Sequence, residues 1–236
     1  MLKECYHQVR RFTQWIGHRE ICRQFQAFTM VPENLFMANL ELAEHVRDLP
    51  GCVVECGVWK GGMSAGIASV LGENRHYYLL DSFEGLPAAR EIDGAAAIEW
   101  QSATSAEDYF DNCSAPKGCA EQAMKLAGVA SFSLIQGWFA ETLPTFSPEQ
   151  PIALLRLDGD WYDSTMTCLE HLFDRLTPGA LVIIDDYGTW DGCTRAVHDF
   201  LSKRSAVERL REHAGVSYFV KRSISACALP TIMTTT

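Results

Sequence analysis

The stretch from residue 52 to residue 71 constrains the fold of this chain more than any other part. A short, largely apolar run covers Cys52–Cys56, a turn with three glycines follows over Gly57–Gly62, and a helical pattern extends over Met63–Leu71. Strand, glycine-rich turn and helix in this order form the start of a βαβ unit, which builds a parallel sheet covered by helices. We therefore predict an α/β fold.

The same alternation of strands and helices continues along the chain. Further strands are predicted at His76–Leu80, Ser131–Ile135, Ile152–Leu157, Ala180–Ile184 and Val216–Val220, and further helices at Glu33–Leu49, Thr165–Leu176 and Cys193–Ser202. The later strands are almost wholly apolar, as expected when helices cover both faces of a parallel sheet. The pattern indicates a Rossmann-like sheet flanked by helices, in one domain spanning residues 1–236.

Two regions of this domain stand apart from the alternation. Region 1–50 is predicted to be helical, with Pro32 at the start of its main helix and Pro50 after the end. Segment 90–118 is polar, rich in glycine and alanine, and carries the aromatic residues Trp100, Tyr109 and Phe110. Long insertions of this kind often close over a ligand as a lid, and a peripheral helix with a mobile loop is an equally good interpretation.

Composition restricts the partners and the compartment. The chain has 20 Lys and Arg against 30 Asp and Glu, and its formal net charge of −10 disfavours nucleic acid and anionic lipid as partners. Its nine cysteines include no CxxC pair, so neither a zinc site nor a disulfide framework is expected. No run approaches the roughly 20 apolar residues of a membrane-spanning helix, and the first residues lack the apolar core of a signal peptide. We expect a cytoplasmic protein without a membrane partner.

The turn over Glu55–Gly62 and the acidic end of the second strand indicate the ligand. Glycines let the backbone approach a ligand closely, and the GxGxxG spacing of dinucleotide sites is absent. Glu55 would repel a pyrophosphate but suits an amino group or a sulfonium, and Asp81, 24 positions after Gly57, can accept hydrogen bonds from ribose hydroxyls. S-adenosylmethionine fits these features best. The alternative is a tight turn with Asp81 as a helix cap.

Four aspartates follow two later strands, Asp158 and Asp160 after the fourth, Asp185 and Asp186 after the fifth. If these strands are neighbours, about 4.8 Å apart, the carboxylates converge and repel one another unless a cation compensates them. Oxygen ligands without His or Cys indicate a hard ion, Mg²⁺ or Ca²⁺. Such an ion lowers the pKa of a substrate hydroxyl, with Asp160 as the base. Asp163 is predicted to be a helix N-cap.

Six blocks within Phe28–Leu201 resemble the macrocin O-methyltransferase family: FTMVPENLF, VVECGVWKGG, YLLDSFEGLP, QGWFAETLP, LDGDWYDST and GALVIIDDYG. A more distant resemblance to catechol O-methyltransferase also implies metal carboxylates at the ends of the fourth and fifth strands. The resemblance implies a seven-stranded sheet whose last strand is antiparallel, and Mg²⁺-assisted methylation of a hydroxyl by S-adenosylmethionine. It assigns the cofactor to Thr29, Met30, Glu55, Gly57, Asp81 and Ser82, the metal to Asp158, Asp185 and Asp186, and proton removal to Asp160.

We therefore expect an S-adenosylmethionine-dependent O-methyltransferase that acts on a hydroxylated small molecule, with the sugar moiety of a natural product as one acceptor class. A nicotinamide-dependent oxidoreductase is the first alternative, disfavoured by the missing GxGxxG and by Glu55. A non-catalytic cofactor-binding module is the second, disfavoured by the intact acidic cluster. The expected partner is the small-molecule acceptor, and a homo-oligomer is left open.

Overall fold

One mixed sheet forms the centre of the protein. The computed structural model describes residues 15–222, so residues 1–14 and 223–236 lie outside it. The strands are β1 Cys52–Cys56, β2 Tyr77–Asp81, β3 Phe132–Gln136, β4 Ile152–Leu157, β5 Leu176–Ile184, β6 Arg211–His213 and β7 Val216–Val220. Within the described range the sheet has seven strands in the order β3-β2-β1-β4-β5-β7-β6, with β1 to β5 parallel and β7 antiparallel to β5. The predicted Rossmann-like sheet with an antiparallel last strand is confirmed.

Helices cover the sheet and fill its connections. They are α1 Glu33–Ala43, α2 Gly62–Leu71, α3 Ala95–Ser102, α4 Lys117–Leu126, α5 Phe139–Thr142, α6 Tyr162–Leu172 and α7 Asp191–Lys203. Residues 15–25 are helical as well, and short 3-10 turns occupy Gln26–Phe28, Glu44–Val46, Glu91–Asp93 and Phe173–Arg175. Between residues 15 and 222, none of these helices has the length and apolar character needed to cross a membrane.

Successive side chains of the central strands enter two different helical layers. On one face, Val53 of β1 and Leu154 of β4 belong to a buried cluster that includes residues of α1, α2 and α4. On the other face, Val54 and Leu155 belong to a second cluster that includes residues of α6 and α7. Full burial of such an aliphatic side chain contributes about 1.5–3 kcal/mol. Packing on both faces therefore fixes the strands and the positions of their carboxyl ends.

Tertiary contacts shift several of the predicted element bounds. Helix α1 ends at Ala43 rather than Leu49, because the chain tightens into a 3-10 turn. The predicted N-cap role of Asp163 is wrong, since α6 begins at Tyr162, and Asp163 in its first turn pairs with Arg90 at 2.5 Å. The Oδ1 of Asp93, a residue distant in sequence, accepts the N–H of Tyr162 at 2.7 Å. Asp93, which belongs to segment 90–118, therefore takes the place of the local N-cap.

Strand β5 begins four residues before its predicted start at Ala180. The pairing with β4 shifts from Ile152 opposite Leu176 to Leu154 opposite Leu181, so the intervening residues bulge out of the ladder. The bulge accommodates a Pro-Gly pair that reads as a strand boundary in sequence. The preceding helix ends at Leu172 and not at Leu176 as predicted, and a 3-10 turn over Phe173–Arg175 connects it to β5. Strand β6 carries no pattern of its own and was not predicted individually.

A buried arginine connects the central strands. Arg156 of β4 is fully buried and lies opposite Glu55 in the register of β1. Its Nη1 donates to Glu55 Oε1 at 2.7 Å and to Asp158 Oδ2 at 2.6 Å, and its Nη2 lies 2.5 Å from Asp185 Oδ1. Its Nε donates to Asn39 Oδ1 of α1 at 3.2 Å. One guanidinium thus links β1, the ends of β4 and β5, and a covering helix.

We predict that Arg156→Met lowers the free energy of unfolding by about 3–5 kcal/mol, because removal of one member leaves buried charges uncompensated. Arg156→Lys should recover only part of the loss, since an ammonium cannot make the forked contacts of a guanidinium. Urea unfolding followed by circular dichroism measures both. Arg47→Met, which breaks an exposed pair with Glu44, is the matched control and should cost less than about 1 kcal/mol. If Arg156→Met were as stable as the parent, the network would make no net contribution.

Candidate active site

A cavity of ≈ 440 Å³ lies at the carboxyl ends of the central strands. In an open α/β sheet, ligands bind beyond this edge, at the point where the strand order reverses, which here lies between β1 and β4. The cavity is lined by every candidate residue from the sequence: Thr29, Met30, Glu55, Gly57, Asp81, Ser82, Asp158, Asp160, Asp185 and Asp186. The structure therefore brings the glycine turn and both acidic strand ends into one space.

The turn between β1 and α2 requires glycine at two positions. Gly57 has a φ of +88°, and a Cβ on it would lie 1.6 Å from the carbonyl oxygen of Asp158. A Cβ on Gly62 would lie 2.6 Å from the carbonyl oxygen of Phe28. The turn is thus packed between the loop after β4 and the segment Phe28–Met30. This contact explains why residues so far apart in sequence line the same cavity.

Asp81, at the end of β2, holds the same turn from the other side. Its Oδ2 accepts the backbone N–H groups of Val58 at 2.6 Å and Trp59 at 2.8 Å, and its Oδ1 accepts that of Phe83 at 2.7 Å. Burial raises the pKa of Asp81, and these three donors act in the opposite direction. Because each carboxylate oxygen has two lone pairs, Oδ1 retains the capacity to accept a further hydrogen bond. Asp81 caps the glycine turn rather than a helix and still faces the cavity.

Glu55 and Ser82 are also engaged within the protein. The buried Glu55 carboxylate accepts hydrogen bonds from the Ser64 hydroxyl of α2 and from Arg156 Nη1. Burial raises the pKa of Glu55, and Arg156 counteracts that effect. The Ser82 hydroxyl donates to the carbonyl oxygen of Gly85 at 3.0 Å. Both residues therefore fix the shape of the cavity wall that they line.

The acidic ends of β4 and β5 meet beside the glycine turn. Carboxylate oxygens of Asp158, Asp160 and Asp186 lie within 4.8 Å of one another, which is close enough to share one cation. Asp185 lies outside this group and pairs with Arg156, which also pairs with Asp158. The geometry thus groups Asp160 with two of the three predicted metal ligands, and it orients the third predicted ligand, Asp185, through the arginine.

Burial and mutual repulsion raise the pKa values of the three grouped carboxyls, those of Asp158, Asp160 and Asp186. Burial raises the pKa of Asp160 to about 7, and nearby carboxylates add to the effect. The pKa values of Asp158 and Asp186 are raised well above the ordinary value, first by burial and then by their acidic neighbours. Among the described residues that line the cavity, Arg156 is the one Lys or Arg. The site therefore carries an excess of negative charge that a cation would offset.

Two residues at the site were missed by the sequence analysis. Arg156 carries a recognisable signal, because one charged residue inside the apolar strand IALLRL needs a buried partner. Trp190 carries no signal in the sequence, because its hydrogen-bond partner Asp160 lies 30 positions away. Its indole Nε1 donates to Asp160 Oδ1 at 2.9 Å, and its ring packs against those of Trp161 and Trp100 at centroid distances of 5.3 and 5.9 Å.

Segment 90–118 reaches the cavity through Cys113 and through a hydrogen bond between Ser114 and the lining residue Trp59. It contains a 3-10 turn and helix α3, and its Cys113 lines the cavity. The Trp59 indole Nε1 donates to the carbonyl oxygen of Ser114 at 3.1 Å. Residues 110–113 have φ values between +48° and +60°, a left-handed turn that is costly without glycine. The segment therefore combines a peripheral helix with a turn that forms part of the cavity wall.

Comparison with known proteins assigns the family. The chain matches the Macrocin-O-methyltransferase (TylF) family over residues 18–222. It is 33% identical over 184 residues to the 8-demethyl-8-(2,3-dimethoxy-alpha-L-rhamnosyl)-tetracenomycin-C 4'-O-methyltransferase of Streptomyces olivaceus, covering 75% of this chain and 68% of that protein. It is 30% identical over 187 residues to the Mycinamicin III 3''-O-methyltransferase of Micromonospora griseorubida, covering 75% and 71%. Among solved structures, the O-methyltransferase NovP superposes with a TM-score of 0.69 at 26% identity, covering 83% of each chain.

The match extends over nearly all of the described residues and includes every motif that lines the cavity. It agrees with the strand order and with the position of the cavity at the carboxyl ends of the strands. The chain therefore belongs to the macrocin O-methyltransferase family of S-adenosylmethionine-dependent O-methyltransferases.

Proposed function

We propose that this enzyme transfers the methyl group of S-adenosylmethionine, with Mg²⁺ assistance, to a hydroxyl on the sugar moiety of a natural product. The observation that carries the proposal is the convergence of Asp158, Asp160 and Asp186 beside the glycine turn in one cavity. The names of the relatives support the acceptor class, because one specifies a rhamnosyl-tetracenomycin and another a mycinamicin.

The glycine turn and its surroundings suit the methyl donor, which we assign to Thr29, Met30, Glu55, Gly57, Asp81 and Ser82. When bound, S-adenosylmethionine supplies a methyl group on a positively charged sulfur, and the negative charge of the cavity favours this cation. The absence of a side chain at Gly57 lets the backbone approach the ligand closely. Asp81 is suited to the ribose because its Oδ1 retains acceptor capacity on the cavity side.

We predict that Asp81→Asn raises the dissociation constant for S-adenosylmethionine by roughly 10- to 100-fold, because a charged acceptor is lost. Isothermal titration calorimetry measures the constant. Since Asp81 also holds the turn, thermal unfolding of the ligand-free variant must be recorded alongside. Glu84→Gln, which removes an exposed carboxylate three residues away, is the matched control and should bind as the parent does. Unchanged affinity in Asp81→Asn would remove Asp81 from the donor site.

The acidic cluster fits a divalent cation for reasons internal to the site. Its grouped ligands are carboxylate oxygens, which Mg²⁺ prefers, and burial together with their mutual repulsion raises their pKa values. We propose that Asp158 and Asp186 hold the ion together with Asp185, whose carboxylate is oriented by Arg156. A bound Mg²⁺ would contribute Lewis-acid assistance by lowering the pKa of the acceptor hydroxyl.

Asp160 is the proposed base of the reaction. Its carboxylate accepts the proton of the acceptor hydroxyl while the hydroxyl oxygen forms a bond to the methyl carbon. The methyl carbon–sulfur bond breaks, its electron pair stays on sulfur, and S-adenosylhomocysteine leaves as a neutral thioether. Arg156 orients the neighbouring carboxylates and excludes them from this role, since Asp158 and Asp185 are both paired with it.

The roles of the aspartates predict different responses to metal. Asp158→Asn and Asp185→Asn should raise the Mg²⁺ concentration needed for half-maximal rate, and excess Mg²⁺ should restore part of the rate. Asp160→Asn should lower kcat by roughly 10² to 10⁴ without rescue, because the amide cannot accept a proton. Rates measured over a Mg²⁺ titration test both expectations. Asp163→Asn, at a cavity residue paired with Arg90, is the control and should leave the Mg²⁺ requirement unchanged.

Rescue of Asp160→Asn by Mg²⁺, together with an unchanged metal requirement in Asp185→Asn, would reverse the two assignments. The ion would then lie among Asp158, Asp160 and Asp186, the three carboxylates that the geometry groups. If no aspartate variant changed the metal requirement, and removal of Mg²⁺ by EDTA left the rate unaltered, the proposed metal assistance would be excluded.

We also propose that segment 90–118 closes over the bound ligands, since Cys113 lines the cavity and Ser114 is bonded to Trp59 of the cofactor turn. Limited proteolysis should show slower cleavage in this segment when S-adenosylhomocysteine and Mg²⁺ are present. Cleavage in the exposed turn after α7, near Ser205, is the internal control and should not change. If the ligands slowed cleavage at both sites, or at neither, a specific closure of segment 90–118 would be contradicted.

A further inference from the structure

We propose that Trp190 is a positioning residue for methyl transfer, which holds the Asp160 carboxylate in its reactive orientation. The proposal rests on the assignment of Asp160 as the base. Trp190 lies outside every motif that the sequence analysis identified with the site, and it immediately precedes α7. It reaches the site only through the tertiary structure.

The hydrogen bonds around Asp160 carry the first step of the argument. Trp190 Nε1 donates to Asp160 Oδ1 at 2.9 Å, and the Asp160 N–H donates to Asp186 Oδ2 at 2.9 Å. Asp160 has a φ of +57°, in the left-handed region that an aspartate adopts only at a cost. Among residues 15–222, no hydrogen bond reaches its Oδ2. The indole therefore fixes one carboxylate oxygen and leaves the other to meet an acceptor hydroxyl.

The indole itself is held by other aromatic rings. It meets Trp161 at 5.3 Å with an interplanar angle of 70°, and Trp100 of α3 at 5.9 Å and 59°. Trp161 is 2% exposed, and its own indole Nε1 donates to the carbonyl oxygen of Pro87 at 2.9 Å. The pair with Trp161 is edge-to-face and the pair with Trp100 is tilted, and packing against two large rings restricts rotation of the indole. The donor that holds Asp160 is therefore preorganised by the insertion and by the loop after β4.

The consequence for the reaction is a loss of orientation when the donor is removed. A carboxylate without this hydrogen bond can rotate away from the acceptor oxygen, and small misplacements of catalytic groups lower rates strongly. The effect belongs to kcat, because Trp190 contacts Asp160 and other tryptophans rather than the glycine turn. Binding of the methyl donor should therefore be unaffected.

The experiment compares the parent enzyme with the variant Trp190→Phe, which keeps an aromatic ring at this position but has no N–H. We expect kcat to fall roughly 10- to 100-fold while KM for S-adenosylmethionine stays within about twofold. Trp190→His should recover part of kcat, because an imidazole Nε2–H can occupy the position of the indole Nε1. Tyr187→Phe, which removes a hydroxyl hydrogen-bonded to His198 Nε2 on the same loop before α7, is the matched control and should retain kcat.

A double-mutant cycle then tests whether Trp190 acts through Asp160. In an Asp160→Asn background, Trp190→Phe should cause little further loss of kcat, because the carboxylate to be positioned is already absent. Equal fold-losses in both backgrounds would overturn the inference while leaving the role of Asp160 intact. An unchanged kcat in Trp190→Phe would overturn it as well. If Asp160→Asn alone left kcat unaltered, the proposed base and the inference built on it would both fail.

Discussion

The geometry of this enzyme depends on one buried guanidinium. Arg156 is the second-to-last residue of the otherwise apolar strand β4, and it pairs with carboxylates from β1 and from the ends of β4 and β5. Burial alone would lower the pKa of this arginine, but the surrounding carboxylates raise it well above the ordinary value, so it stays charged. A buried charge in this position is tolerated only when opposite charges compensate it. These ion pairs join β1, β4 and β5 at the edge of the sheet where the cavity opens.

The same arginine does not neutralise the site. Several carboxylates line the cavity against this one guanidinium, and burial raises the pKa values of Asp158, Asp160 and Asp186. A carboxyl with a raised pKa binds its proton more tightly in the folded state than in the unfolded chain. Its contribution to stability therefore decreases as pH rises from the unfolded value of about 3.9 towards the folded value, which is about 7 for Asp160. The cluster is thus a cost to the free protein near neutral pH, and bound cations would relieve that cost.

The edge of the sheet sets the position of the site, and segments outside the sheet complete its wall and hold its side chains. Asp93 of the insertion accepts the first N–H of α6, Ser114 accepts the Trp59 indole, and Trp100 packs on Trp190. These contacts join residues that lie far apart in the chain and follow no short spacing. Sequence periodicity detects repeating burial, so it found the strands and helices but gave only two open interpretations of segment 90–118. The caps and aromatic contacts of that segment exist only after the chain has folded around the sheet.

The sequence by itself determined the α/β class, the three strands β1, β4 and β7 to the residue, and seven of the residues that line the cavity, namely Glu55, Gly57, Asp81 and the four aspartates that follow β4 and β5. It could do so because alternating burial, glycines in a strand-to-helix turn, and carboxylates after apolar strands are local signals. Tertiary structure alone decided which of those carboxylates lie together. Asp160 is grouped with Asp158 and Asp186, whereas Asp185 lies outside this group and pairs with Arg156. It also decided that Trp190 holds Asp160. The physical reason is that the partner of a side chain depends on which strands are neighbours and on how the strand ends pack. The spacing of residues along the chain does not encode these distances in space.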